Sequence, residues 1–164
     1  MRKLDALREV MTRIPQIKAD PSKLALFADR GRIAARAGSL SFVYRYTATM
    51  VVEDFAGDID TVIVPLLAWI AVHQPELMQK SDSEPFAFEA EVLAGDLIDL
   101  SITIELSERV RVERAVVAGK PGTNTVHLDD IIPPDAFAGA EGARLWTGIA
   151  DDLVAQSSAV VVPD

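Results

Sequence analysis

Residues 39–78 read SLSFVYRYTATMVVEDFAGDIDTVIVPLLAWIAVHQPELM, and the rest of the chain can be organised around the two patterns they contain. Over residues 42–53 the side chains alternate between two faces with a period of two. One face is mostly apolar and aromatic and carries Phe42, Tyr44, Tyr46, Ala48, Met50 and Val52. Such alternation, in a segment rich in aromatic and β-branched residues, predicts a long strand with one buried face.

The second pattern is an apolar helix that follows a break at residues 55–58. Gly57 permits a turn, and the Asp58 carboxylate can accept hydrogen bonds from the first free N–H groups of a helix. Residues 59–78 are apolar on nearly every side, which predicts a helix covered by the sheet, with Trp69 in the core. Because Pro65 lacks an N–H donor, either the helix kinks there or the main helix begins there.

A shorter helix and further strands are predicted on both sides of this stretch. Near the start of the chain, apolar residues recur every three to four positions, at Leu4, Leu7, Met11 and Ile14. They predict an amphipathic helix, stopped by Pro15, that either packs on the sheet or docks on a neighbouring molecule. Residues 23–36 predict a hairpin that turns at Asp29-Arg30-Gly31.

The second half of the chain continues the sheet. Alternating patterns predict strands over residues 86–92 and 98–106, a further strand over 109–117, and a turn cluster over 119–124. The expected fold is α+β: two helices cover one face of a mixed, mainly antiparallel sheet of roughly four to six strands. We expect residues 1–130 to form the core domain. Residues 131–164 are expected to form a loop and a C-terminal extension used between subunits.

Several of these segments carry a family resemblance. The turn D-F-x-G-D, the helix core V-P-x-L-A-W and the helix end H-Q-P-E all occur within residues 39–78. Residues 96–113 read DLIDLSITIELSERVRVE and include an L-x-E-R segment, and residues 21–42 also fit. In these motifs the chain resembles the tail completion protein R family of temperate phages with contractile tails, over residues 1–130.

The resemblance implies a structural role in virion assembly, without enzymatic activity. It implies a protein made in the host cytoplasm that completes the phage tail late in morphogenesis. By analogy with tail terminators, it implies a ring, often of six subunits, at the head-proximal end of the tail. Such a ring would stop tube and sheath growth and prepare head joining. The implied partners are other copies of the chain, tail tube and sheath proteins, and head–tail connector proteins.

Composition and charge narrow the function classes. The chain has no cysteine, which excludes disulfide scaffolds, thiolate nucleophiles and cysteine–metal sites. No apolar run is long enough to predict a membrane span. The net charge is −9, yet residues 1–36 contain nine Lys or Arg residues against four acids. This asymmetry is either a solvated basic face or one side of a head-to-tail contact between subunits. The sequence has no stripe of basic residues interleaved with aromatic residues, so it does not predict a nucleic-acid site.

The candidate interface residues come from the basic N-terminal segment and from the C-terminal region. Arg32 and Arg36 represent the basic segment. Phe137, Trp146 and Leu153 are large apolar residues in a C-terminal region too short to have its own core, so we expect contacts with a neighbouring subunit. Acidic side chains on the polar faces of predicted strands are expected to face solvent or an interface: Glu89, Glu91, Asp99, Glu105 and Glu113.

Few residues suggest chemistry. His73 and His127 have no second histidine or cysteine at the short spacing of a metal site, and residues 118–123 lack the glycine spacing of a phosphate-binding loop. No catalytic, cofactor-binding or metal site is therefore predicted. Two alternatives to an assembly protein remain open at this point: an enzymatic or small-ligand-binding α+β domain, and a regulatory interaction module.

Overall fold

The structure, a computed structural model, describes residues 1–79, 83–117 and 120–129. Within these ranges the chain forms a five-stranded sheet and three α-helices. The strands are β1 (Leu24–Ala35), β2 (Phe42–Ala56), β3 (Ala87–Val92), β4 (Leu97–Val117) and β5 (Lys120–Leu128). The helices are α1 (Arg2–Met11), α2 (Pro15–Ala19) and α3 (Asp60–His73), with 3-10 turns at Pro21–Lys23 and Pro75–Met78. The C-terminal extension lies outside the described residues.

The sheet has the order β1-β2-β4-β3, and β5 pairs with the second half of β4. All four pairings are antiparallel. The helices pack on one face of this sheet, where alternate positions of β2 and β4 form the core with Leu7, Met11, Leu66 and Ile70. The strand positions in this core are Tyr46, Ala48, Met50, Val52, Leu100, Ile102, Ile104 and Leu106. The predicted α+β class, with helices on one face of an antiparallel sheet, is confirmed.

Helix α3 runs continuously through Pro65, which is buried. Of the two alternatives for this proline, a start of the main helix at residue 65 is therefore wrong. The missing N–H of Pro65 deprives the Thr61 carbonyl of its usual helical partner, but Thr61 is exposed and water can substitute. Trp69 is 3% exposed, as expected for a core residue. The Asp58 carboxylate accepts a hydrogen bond from the N–H of Asp60 at 3.0 Å, which confirms its predicted role at the start of the helix.

The D-F-x-G-D turn joins β2 to α3 through a backbone that few residues other than glycine tolerate. Asp54 has a φ of 47°, and the pairing register shifts between Val52 and Phe55. This irregularity returns Phe55 to the core, where it is 2% exposed. At Gly57 the φ is 144°, and an added Cβ would lie 2.8 Å from the side-chain nitrogen of Gln16. Gln16 occupies that space because its amide bonds both the N–H and the carbonyl of Ala56.

The predicted hairpin at residues 23–36 is wrong. This segment is the single edge strand β1, which pairs with β2 over its whole length. The register shifts between Asp29 and Arg32, so the Asp-Arg-Gly sequence makes a β-bulge and not a turn. The left-handed residue of this bulge is Arg30, with a φ of 49°.

The predicted separation of residues 98–106 from 109–117 is also wrong, because both belong to β4. Residues 109–117 pair with β5 on one side, and β2 reaches only Arg109 and Val110 on the other, so among the described strands residues 111–117 keep one free edge. Residues 120–124 of the predicted turn cluster lie within β5, opposite residues 113–117 of β4. Residue types that usually form turns continue a strand here, because backbone pairing with β4 sets their conformation.

The N-terminal helix forms as predicted but is followed by a second one. Leu7, Met11 and Ile14 are all buried, and α1 contacts α3, so this helix packs on its own domain. Pro15 is the first residue of α2, where its missing N–H costs nothing. None of the helices within the described residues is both long and apolar enough to span a membrane.

Candidate subunit interface

The sheet face opposite the helices, which we call the open face, carries the residues that the core leaves out. Directly paired residues share a face, so Thr47 of β2 faces outward together with Asp29 of β1 and Glu105 of β4. On β2 the open-face side chains from Val43 to Glu53 are half-buried or exposed. This face is therefore available for contacts beyond the domain.

One end of the open face is basic. Arg32 of β1 lies directly opposite Arg45 of β2, and Arg30 lies in the adjacent bulge. All three side chains are exposed, and they line a depression of about 390 Å³ together with Thr47 and Glu105. None of the three arginines forms an ion pair with another described residue. We call Arg30, Arg32 and Arg45 the basic corner.

The β-bulge creates this corner. Between Asp29 and Arg32, β1 has two residues where β2 has one, Tyr46. An uninterrupted register would pair Arg32 with Tyr44 and turn its side chain toward the helices. The extra residue keeps Arg32 on the open face and places the neighbouring Ile33 on the helix side, opposite Tyr44. Arg32 thus has the outward position that its proposed interface role requires.

The other end of the open face is acidic. Glu91 of β3 lies directly opposite Asp99 of β4, and Glu89 precedes it on the same face of β3. Both glutamates are exposed. Asp99 is half-buried and accepts a hydrogen bond from the N–H of Asp54 at 2.8 Å, which fixes its carboxylate. These three residues, which we call the acidic corner, line a depression of about 310 Å³.

The remaining predicted interface residues are not gathered at either corner. Arg36 is exposed in the connection that follows β1, where its carbonyl accepts a hydrogen bond from Ser39 at 3.3 Å. Phe137, Trp146 and Leu153 lie outside the described residues. The structure brings Arg32 together with Arg30 and Arg45, two arginines that the sequence reasoning did not single out.

A buried polar cluster on the helix side was missed entirely. Glu108 of β4 is 3% exposed. Its carboxylate accepts the Tyr46 hydroxyl at 2.6 Å and the backbone N–H groups of Arg2 and Lys3 at 3.1 and 3.3 Å. These N–H groups begin α1 and have no partner within the helix, so a buried anion satisfies them and favours the helix dipole.

The alternation along β4 indicates that the Glu108 side chain is buried. The buried positions of β4 are even-numbered from Leu100 to Leu106, and an uninterrupted strand carries that phase to residue 108. The predicted strand ended at residue 106, so the alternation was not extended to Glu108. Burial, together with the hydrogen bond to Glu108 and its charge, raises the pKa of Tyr46 well above its ordinary value. The Tyr46 hydroxyl therefore stays protonated and donates to the carboxylate.

Gln74 completes the cluster by filling a gap in the sheet. Ser107 lies between the part of β4 that pairs with β3 and the part that pairs with β5. The side-chain oxygen of Gln74 accepts the Ser107 N–H at 3.1 Å and the Lys3 ammonium at 2.7 Å. Gln74 thus takes the place of a strand neighbour that the described part of the chain does not supply here, and the H-Q-P-E and L-x-E-R segments meet at this point.

The cluster holds the domain together and offers little for chemistry. His127 Nδ1 lies 3.3 Å from the Glu108 carboxylate but is not aligned to donate a hydrogen bond. The sequence pattern gives no sign that these polar residues converge, and the structure brings them together. Their donors and acceptors nevertheless bond one another. Within the described ranges, no group of three or more residues of metal-ligating type is placed to hold an ion.

Comparisons with known proteins agree with the resemblance seen in the sequence. A family model described as P2 phage tail completion protein R (GpR) matches residues 1–130. Tail completion protein R of Escherichia phage P2 is 40% identical over 116 residues, which make up 68% of this chain and 75% of that protein. Comparison with solved structures gives no match.

Proposed function

Since this chain belongs to the P2 phage tail completion protein R (GpR) family, and so acts as a structural protein in phage tail assembly, we propose that it completes the tail as a closed ring. In this proposal the ring sits at the head-proximal end of the tail, ends tube and sheath growth, and prepares head joining. We propose six subunits, by analogy with tail terminators.

The observation that supports a ring is the polarity of the open face. Its basic corner lies at the β1 edge of the sheet and its acidic corner at the β3 edge. A contact between unlike patches is heterologous, and heterologous contacts close into rings when the rotation between subunits permits it. A two-fold contact through either corner would instead juxtapose like charges, which is unfavourable.

The proposed partners follow from the position of the ring. Tail tube and sheath proteins would contact one side of the ring and head–tail connector proteins the other. Arg32 and Arg36 are proposed to lie between subunits. Phe137, Trp146 and Leu153 are proposed to contact a neighbouring subunit or a tail protein, because exposed aromatic and apolar side chains favour such interfaces.

We propose that the protein works by binding and not by catalysis. The strongest polar convergence among the described residues, around Glu108, is occupied by donors of the same chain. A substrate would have to displace those hydrogen bonds and release α1 from the sheet. The cluster therefore favours a structural role over the enzymatic or ligand-binding alternative.

A deletion in the phage that encodes this chain tests the proposal. Particles made without the protein are examined by electron microscopy, with the intact gene supplied in trans as the control. The proposal predicts tails of uncontrolled length, or tails of normal length that fail to join heads, with normal particles after complementation. Normal tails joined to heads in the deletion strain would contradict the proposal. A gold-labelled antibody bound only at the distal tip of the tail would contradict the head-proximal position.

A further inference from the structure

We propose that the β1 edge of one copy docks along the β3 edge of the next, so that the basic corner of one subunit contacts the acidic corner of its neighbour. This inference rests on the proposed ring and specifies the contact from which the ring is built. The partner is a second copy of this chain.

Each corner is electrostatically incomplete within one subunit. Arg32 and Arg45 are directly opposite each other in the register, and so are Glu91 and Asp99. Like charges in directly opposed positions on one sheet face destabilise the pairing. No ion pair with another described residue offsets either arrangement. A neighbour that brings two carboxylates to two guanidinium groups relieves both repulsions at once.

The two edges also match each other on the helix side of the sheet. Next to Arg32, Ile33 lies on the helix side of β1 and is 59% exposed. On β3, Phe88 and Val92 lie on the helix side and are 53% and 76% exposed. When the two edges meet, charged residues face charged residues on the open side and apolar residues face apolar residues on the helix side. A contact with both features resembles a protein interface, which combines an apolar core with a polar rim.

The backbone of β1 limits how the two edges can meet. The bulge with left-handed Arg30 interrupts the free backbone edge of β1, as edge strands often do to avoid continuous pairing. Side chains, and not an extended strand ladder, therefore carry the contact. Side-chain ion pairs at an exposed edge are screened by salt, so assembly should weaken as ionic strength rises.

Charge reversal with mixing provides the test. One full-length variant carries Arg32→Glu and Arg45→Glu, and a second carries Glu89→Arg and Glu91→Arg. Alone, each variant brings like charges together at every subunit contact. Mixed in equal amounts, each reversed corner meets an opposite charge on the other variant. A matched control with Lys18→Glu and Arg114→Glu reverses two exposed cations outside the corners.

We expect each variant alone to associate at least about 100-fold more weakly than the wild type, and the equimolar mixture to recover wild-type affinity within about 10-fold. The mixed assembly should contain both variants in equal number, measured by native mass spectrometry. The control should assemble like the wild type. Thermal melts verify that each variant is folded. Reversal of Arg32 and Arg45 replaces one like-charge pair with another, so the fold of that variant should be little affected.

The outcomes separate this contact from the ring itself. If the wild type is a monomer at all concentrations, the proposed ring fails and this contact fails with it. If the wild type forms a ring and either variant alone does so equally well, the ring stands and the edge contact is overturned. Loss of assembly that mixing does not restore also overturns the contact.

Discussion

Replacing Glu108 with alanine should destabilise the domain by about 3 kcal/mol. The substitution leaves the Tyr46 hydroxyl without its acceptor at a site only 2% exposed, which costs about 1–3 kcal/mol. It also removes the acceptor for the first two N–H groups of α1, at about 1 kcal/mol for a lost helix cap. Glu108→Gln keeps one acceptor oxygen but loses the charge, so we expect a smaller loss of about 1 kcal/mol.

Urea unfolding followed by tryptophan fluorescence measures these losses, because Trp69 is buried in the native core. Glu105→Ala is the matched control. It lies on the same strand and faces the open side, and among the described residues its one hydrogen bond is from Thr47 at 2.6 Å, so its loss should stay below about 0.5 kcal/mol. Equal unfolding midpoints for Glu108→Ala and Glu105→Ala would refute the reasoning that the buried carboxylate anchors α1.

Three further predictions concern the core, the pH dependence and the C-terminal extension. Trp69→Ala should cost about 3–5 kcal/mol in denaturant unfolding, and a loss under about 1 kcal/mol would mean that α3 is peripheral. Because the folded-state pKa of Tyr46 is raised, the unfolded state loses this proton first, and stability should fall above about pH 10. This fall in stability with pH should be shallower in Tyr46→Phe. Identical slopes of stability against pH in the two proteins would contradict the raised pKa of Tyr46. A chain truncated after Asp130 should keep most of its melting temperature but lose ring formation, and unfolding on truncation would place the extension in the core.

Local periodicity was enough to predict the central elements. The alternation over residues 42–53 and the apolar segment after Asp58 correspond to β2 and α3, and Trp69 is buried as expected. β2 buries one face, and α3 buries apolar residues such as Val62, Leu66 and Ile70, so burial alone produces a pattern that can be read from the sequence.

The errors arose where tertiary pairing overrides local signals. Asp29-Arg30-Gly31 has the composition of a turn, but the ladder with β2 continues on both sides and absorbs one extra residue as a bulge. Likewise Gly122 and Asn124 continue β5 because β4 pairs with them. No local pattern specifies how far a neighbouring strand extends.

The corners of the open face could be predicted only in part. The local excess of positive charge in the sequence points to Arg32, whereas the strand pattern marks Arg45 only as an outward residue. Their apposition depends on the register between β1 and β2, which the bulge sets. The same holds for Glu91 and Asp99, which belong to different strands and meet only through the β3–β4 pairing.

The mass of the native assembly at low and high salt tests the central claim most directly. Native mass spectrometry of the purified full-length chain should show one closed species, with six copies as the expected number, that dissociates as ionic strength rises. A monomer at every concentration, or a two-fold dimer whose mass does not change with salt, would contradict a ring built from unlike, oppositely charged edges.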